Sequence, residues 1–348
     1  MVRGNKARFL MLAATIALAA PTARAESVQD FYRGRTVSLI VGTPSGGGIY
    51  DLWSRILARH LGRHIPGQPN IIVQNMAGAG GLRAAMNLYN VAPRDGSVLG
   101  VIQATAPFAP LLDPGGPQFD ARRFGWIGSM TKESSFCIAM SNAKVKTFND
   151  VLTHRLLVGS TGPGTHRVYP LLMNHLFGAK FEVISGYPGG NDIYLAMERG
   201  EIEGRCGVTL VALRNFRPDW LSAKKVNLVV QTAIEADRDE AAAGVAMLID
   251  LARTQEQRHI MELVFANGEV QIPVLMPPDA PPDRLTAVRA AFAAAIRDPG
   301  LIEEATKLKL VPRLVTGEQV QALIARVYAT PPSTVAAAIE ATKLPGTR

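Results

Sequence analysis

Four short glycine-bearing segments hold the residues on which any chemistry of this chain would turn. They are PSGGG at 44–48, AGAGG at 77–81, TGPG at 161–164 and YPGG at 187–190. Each follows an apolar, strand-like run and precedes a helical one. A helix that begins after a strand points unpaired N–H groups and the positive end of its dipole outward. Glycine adds freedom of φ and lets a ligand approach the backbone amides closely. One such cluster is ordinarily just a tight turn. Four in the same topological place, two in each of two expected domains, describe a trap for a small anion.

The flanking side chains refine this expectation. Gly46, Gly47 and Gly48 are followed by Asp51, whose carboxylate falls in the first helical turn and would repel an anion. Asp51 is therefore expected to organise its loop, not to touch ligand directly. Asn75 precedes Gly78, Ala79, Gly80 and Gly81; Ser160 and Thr161 precede Gly162 and Thr165; Tyr187 precedes Gly189, Gly190 and Asn191. The hydroxyls and amides among them suit carboxylate oxygens or bridging water. Arg83, Arg167 and Arg205 have the fork geometry of carboxylate clamps, although each also suits a solvated face.

Catalytic patterns are not found. The segment GSTGPGTH lacks the lysine of a phosphate-binding P-loop, the first two glycine loops do not read GxGxxG, and no GxSxG elbow occurs. His60 and His64 stand four apart on one helix, but neither HExxH nor a third ligand accompanies them. No catalytic residue, metal or cofactor is expected.

Strands alternating with helices must position the loops. TVSLIVG, NIIVQN and SVLGVIQA read as strands, with amphipathic helices DLWSRILARHL and LRAAMNLYNVA between them. The alternation restarts with FCIAM, LLVGS, FEVISG, EIEGRCGV and VNLVVQ. It ends with VQIPVLMPP and two helices, the last opened by a Thr316/Gln319 capping box. This is an α/β chain of parallel sheets covered on both faces, with ligand expected at the carboxyl ends of the strands. The expected domains are 26–130 together with 229–348, and an inserted 131–228. Two crossings between them would form a hinge.

Residues 1–25 read as a secretory leader. Arg3, Lys6 and Arg8 precede an apolar stretch too short to span a bilayer comfortably, and Ala23-Arg24-Ala25 supplies the cleavage pattern. Cleavage after Ala25 leaves 323 residues, about right for two domains. It also removes four basic residues from the 37, leaving 33 against 29 acidic ones, a net charge of +4. That balance, without basic runs among aromatics, excludes a nucleic-acid partner. Cys137 and Cys206 are either bridged, closing a 69-residue loop worth about 4 kcal/mol, or two buried thiols.

At these residues the chain resembles the extracytoplasmic solute-binding proteins of tripartite tricarboxylate transporters, the TctC-like or Bug family. The likeness is carried by VSLIVGTPSGGGIYDLWSRILARHL, IIVQNMAGAGGLRAAMNLYNVAPRDGSVLG, LLVGSTGPGT and VQIPVLMPPDAPPDRLTAVRAAF. It implies a two-domain, flytrap-like periplasmic binding protein, the domains Rossmann-like, closing over a carboxylated solute held by loop amides and water. It also implies delivery to the large and small membrane subunits of a transporter, and a monomer. GRCGV stands where many members carry an aspartate-asparagine pair. The sequence alone leaves two other readings open: a secreted enzyme acting on an organic acid, and a binding protein used for sensing.

Overall fold

The computed structural model describes Met1 and residues 26–343 except Gly47, Pro114, Pro163 and Arg238. The leader over 1–25 and its cleavage site therefore lie outside the described residues, as does Gly47.

The strands form two separate sheets. The first combines β1 (Thr36–Val41), β2 (Asn70–Asn75), β3 (Val98–Val101) and β4 (Gly125–Ser129) with the late β10 (Pro273–Met276) and β11 (Val315–Thr316), in the order β11-β4-β10-β3-β1-β2. The second holds β5 (Ser135–Met140), β6 (Leu156–Ser160), β7 (Phe181–Ser185), β8 (Gly204–Val208) and β9 (Val226–Thr232), in the order β7-β6-β8-β5-β9. Each sheet keeps a parallel trio, β2-β1-β3 and β7-β6-β8. Neither is parallel throughout, as the alternation alone suggests. The strands at the crossings, β4, β5, β9 and β10, run antiparallel to a neighbour. A chain that passes from one sheet to the other need not make the crossover that parallel pairing requires.

Residues buried on both faces explain the central strands. Leu39, Val41, Leu99 and Val101 are buried in one core and Ile40 and Val98 in the other, as doubly covered sheets demand. Helix α1 (Ile49–Leu61) buries Trp53, Ile56, Leu57 and Leu61 against β1 and β2, the helical spacing read from the sequence. Its polar side turns to the C-terminal half. His60 Nε2 lies 2.7 Å from Glu304 and His64 Nε2 lies 2.8 Å from Asp298. His60 lies on α1, but α1 ends at Leu61 and His64 falls in the 3-10 turn Gly62–His64 after it, so the two do not share one α-helix; they join this segment to a late helix at Pro299–Lys307 and to its capping residue Asp298.

α2 (Leu82–Asn90) follows the second glycine loop, α3 (Thr165–Phe177) the third and α4 (Gly190–Glu198) the fourth. The last two stand beside the second sheet. The tail does not stay with the first sheet, contrary to the expected 229–348 boundary. α5 (Gln255–Phe265) and α6 (Pro332–Thr342) pack together, and α6 packs on α3. Val335, Ala338 and Ala341 supply its buried face. β9 likewise runs through residue 228 to Thr232 inside the second sheet. The Thr316/Gln319 capping box is formed, each residue's side chain bonding the other's backbone N–H.

Cys137 and Cys206 are bonded to each other. They sit on the adjacent antiparallel strands β5 and β8, and neither is exposed. Non-reducing peptide mapping should recover this pair; free thiols in oxidised material would exclude it. Replacing both cysteines with alanine opens a loop spanning 69 residues and should lower the unfolding free energy by about 4 kcal/mol in denaturant melts.

Candidate functional site

All four glycine loops contribute to one cleft of about 210 Å³ between the two sheets. The helices that follow them begin alike. Gly48 caps α1, Gly81 caps α2, Gly164 caps α3 and Gly189 caps α4, and none of the four has a side-chain cap. Helix amides that a serine or aspartate would ordinarily satisfy are left for a ligand. The backbone at the first two loops requires glycine: φ is +97° at Gly48, +63° at Gly80 and +86° at Gly81. That region is costly for residues with a Cβ.

Of the expected contact residues, Gly48, Gly78, Ala79, Gly80, Gly81, Thr161, Thr165, Gly189 and Gly190 line the cleft, and so does Asn191. Gly46, Asp51, Asn75, Ser160, Gly162 and Tyr187 are not on its wall. Their side chains or amides are engaged elsewhere. Asp51 accepts from the Gly46 amide at 2.8 Å, from Arg55 Nε at 2.9 Å and from Asn75 Nδ2 at 2.8 Å. Asn75 also donates to the Thr43 carbonyl at 2.9 Å and accepts from Arg55. A buried carboxylate thus joins the first loop to the end of β2, the organising role expected of Asp51, and it occupies the amide of Asn75. Ser160 turns back on its own loop, where its hydroxyl donates to the Gly162 carbonyl and accepts from the Gly162 amide. Tyr187 lies behind β6, against Gly159.

Sequence reasoning also passed over cleft residues. Gln103 and Thr105 follow β3, and Gly207 and Thr209 close β8 and its following turn. These are strand carboxyl ends like the others, so topology alone could have named them. Asn267 and Gln271 come from an irregular stretch after α5, where no local pattern marks them.

Arg205 sets the electrostatics. It is the one permanently charged residue among those lining the cleft, and no Asp or Glu stands with it. It is only 8% exposed. Nη1 donates to the Gly190 carbonyl at 2.9 Å, Nη2 lies 2.6 Å from His166 Nε2, and the guanidinium sits over the Tyr194 ring. Nε has no partner among the described residues. Burial, and then the charge of Arg205, hold His166 well below its ordinary pKa, so the imidazole is neutral and can accept that hydrogen bond. A buried cation without a counter-ion is costly in the empty protein.

Burial raises the pKa of Asp51, but bonds from Arg55, Asn75 and the Gly46 amide outweigh it and hold the carboxyl below its usual value. The stability it confers is complete above the unfolded pKa, about 4, and is lost as pH falls through the lower folded value. Asp51→Asn should cost about 1–3 kcal/mol near neutrality. Its deficit relative to the native chain should shrink in denaturant melts below about pH 4; a constant deficit at every pH would contradict the network.

No family model matches the sequence. A curated relative, "UPF0065 protein in gbd 5'region" of Cupriavidus necator, is 28% identical over 210 residues, 56% of this chain; the match spans 60% of that relative's length. Solved structures align over nearly their full length. "Structure of periplasmic binding protein BugD" has a TM-score of 0.67 at 18% identity, covering 89% of this chain and 98% of that one. MatC of Rhodopseudomonas palustris, solved with bound malate, has 0.66 at 20%, covering 89% and 99%. A TctC solute-binding protein from Polaromonas has 0.62 at 20%, covering 88% and 99%. The chain has the two-domain fold of the TctC-like, or Bug, binding proteins, the family its glycine loops resemble.

Proposed function

We propose that this chain is an extracytoplasmic receptor of the TctC-like kind, which captures a small carboxylate and presents it to a tripartite transporter. One observation carries the reading: four helix N-termini without side-chain caps and the buried guanidinium of Arg205 share a cleft with no acidic side chain among the described residues that line it. Such a site favours an anion. Binding is non-covalent and needs no cofactor, with closure driven by contacts that only the closed form makes. A periplasmic location and large and small membrane subunits as partners fit the leader and the family. The receptor is proposed to act as a monomer.

The contacts found in the cleft support the following roles. Amides at the starts of α1 and α2 take one side of the carboxylate, and those of α3 and α4 the other. Thr161 and Thr165 supply hydroxyls to its oxygens or to bridging water, while the Thr209 hydroxyl is taken up by the Ala212 amide and the Glu133 carboxyl. Arg205 neutralises charge, and Tyr194 and His166 hold its guanidinium in place.

A thermal-shift screen of residues 26–348 against organic acids tests the function. A ligand at about 100 times its Kd adds about 2.7 kcal/mol of stability. Arg205→Met should weaken that ligand about ten- to hundredfold, the range for charge-assisted hydrogen bonds. The same variant, freed of an unpaired buried charge, should melt no lower than the native chain when empty. A folded native protein that no organic acid stabilises would count against the receptor, and full affinity in Arg205→Met would remove the charge from its mechanism.

A further inference from the structure

A second cavity, of about 390 Å³, adjoins the cleft. Gly80, Thr105 and Asn267 line both, so the two share a boundary. The Tyr169 hydroxyl donates to Asn267 Oδ1 at 3.0 Å, which fixes one wall between them. Beyond that boundary the chemistry changes. Leu82, Phe108, Leu112, Val168, Leu263 and Ile339 line it. They come from the first glycine-loop half, from α3 and from the C-terminal helices, so the cavity lies where both halves of the chain meet. An apolar cavity of ~150 Å³ already holds a benzene ring, and this one is larger.

Arg167 lines the same cavity, half-buried. Its Nε is inaccessible and has no acceptor among the described residues. Asp113 and Lys343 line it too, and the Asp113 charge acts on the Arg167 guanidinium. The cavity therefore pairs an apolar body with a few charged side chains, whereas the cleft next to it offers amides and a guanidinium.

We propose that the two cavities form one composite site for an aryl or medium-chain alkyl carboxylate. The carboxylate sits among the glycine loops and Arg205, and the apolar body fills the second cavity, with any terminal hydroxyl placed toward the charged residues Asp113, Arg167 and Lys343. This rests on the carboxylate reading above and narrows it: a ligand as short as a four-carbon diacid reaches only the cleft and leaves the apolar walls wet.

Calorimetric titration of the mature chain with succinate, octanoate and 4-hydroxyphenylacetate tests it, alongside Ala109→Phe, which narrows the second cavity away from the loops. The expected result is at least tenfold tighter binding of octanoate or 4-hydroxyphenylacetate than of succinate. Ala109→Phe should abolish that advantage and leave succinate within twofold. Leu112→Gln, which makes the wall polar without adding bulk, should reduce the advantage and guards against misfolding of the first variant. Succinate binding as tightly as the longer acids, or falling with them in Ala109→Phe, overturns the composite site and leaves the carboxylate receptor standing. Binding of none of the three by the folded native chain counts against both.

Discussion

Every α-helix begins with amide donors that its own backbone does not satisfy, and the arrangement of this protein follows from where those donors are left. A serine or aspartate cap at each of the four helices would have closed them locally. Glycine stands at each cap position instead, so the donors stay open and the loops can approach a common centre. The two sheets, each with its parallel trio, are what bring those helix starts to one cleft. The remaining features answer the demands this makes. Asp51 gathers the Gly46 amide, Arg55 and Asn75 behind the first loop, and Ser160 folds the third loop onto itself.

Much of this was legible in the residues. Strand-loop-helix order identified all four loops, which do line one cleft, because each link is local: an apolar run, a glycine cluster and an amphipathic repeat. The organising role of Asp51 followed from its place in the first helical turn. The errors have a common origin. Asn75, Ser160 and Tyr187 are polar residues at suitable positions, but a polar side chain near a loop can face the ligand or brace the backbone, and only packing decides. Here Asn75 is occupied by Asp51 and the Thr43 carbonyl, and Tyr187 lies behind the strand, while Tyr194, one helical turn into α4, lines the cleft.

Arg205 shows the same limit in reverse. From sequence, an arginine on a strand is more readily placed in solvent. Its burial depends on Gly190, which leaves room for it: a Cβ there would stand 2.8 Å from Nη2. Thus two residues 15 apart in sequence create one charge in one place, and no periodicity records it. The packing of α6 on α3 is likewise a tertiary choice. An amphipathic C-terminal helix seeks an apolar face, and nothing in its own residues says which sheet will provide it.

The bond between Cys137 and Cys206 has a consequence for the timing of function. Arg205 immediately precedes Cys206, so the cross-link pins the backbone one residue from the cleft's charge, and it ties that strand to β5 at the crossing between the sheets. A newly made chain with both thiols reduced lacks this pin. The proposed anion site would acquire its final rigidity only after oxidation, which makes maturation of the cleft a chemical event as well as a folding one.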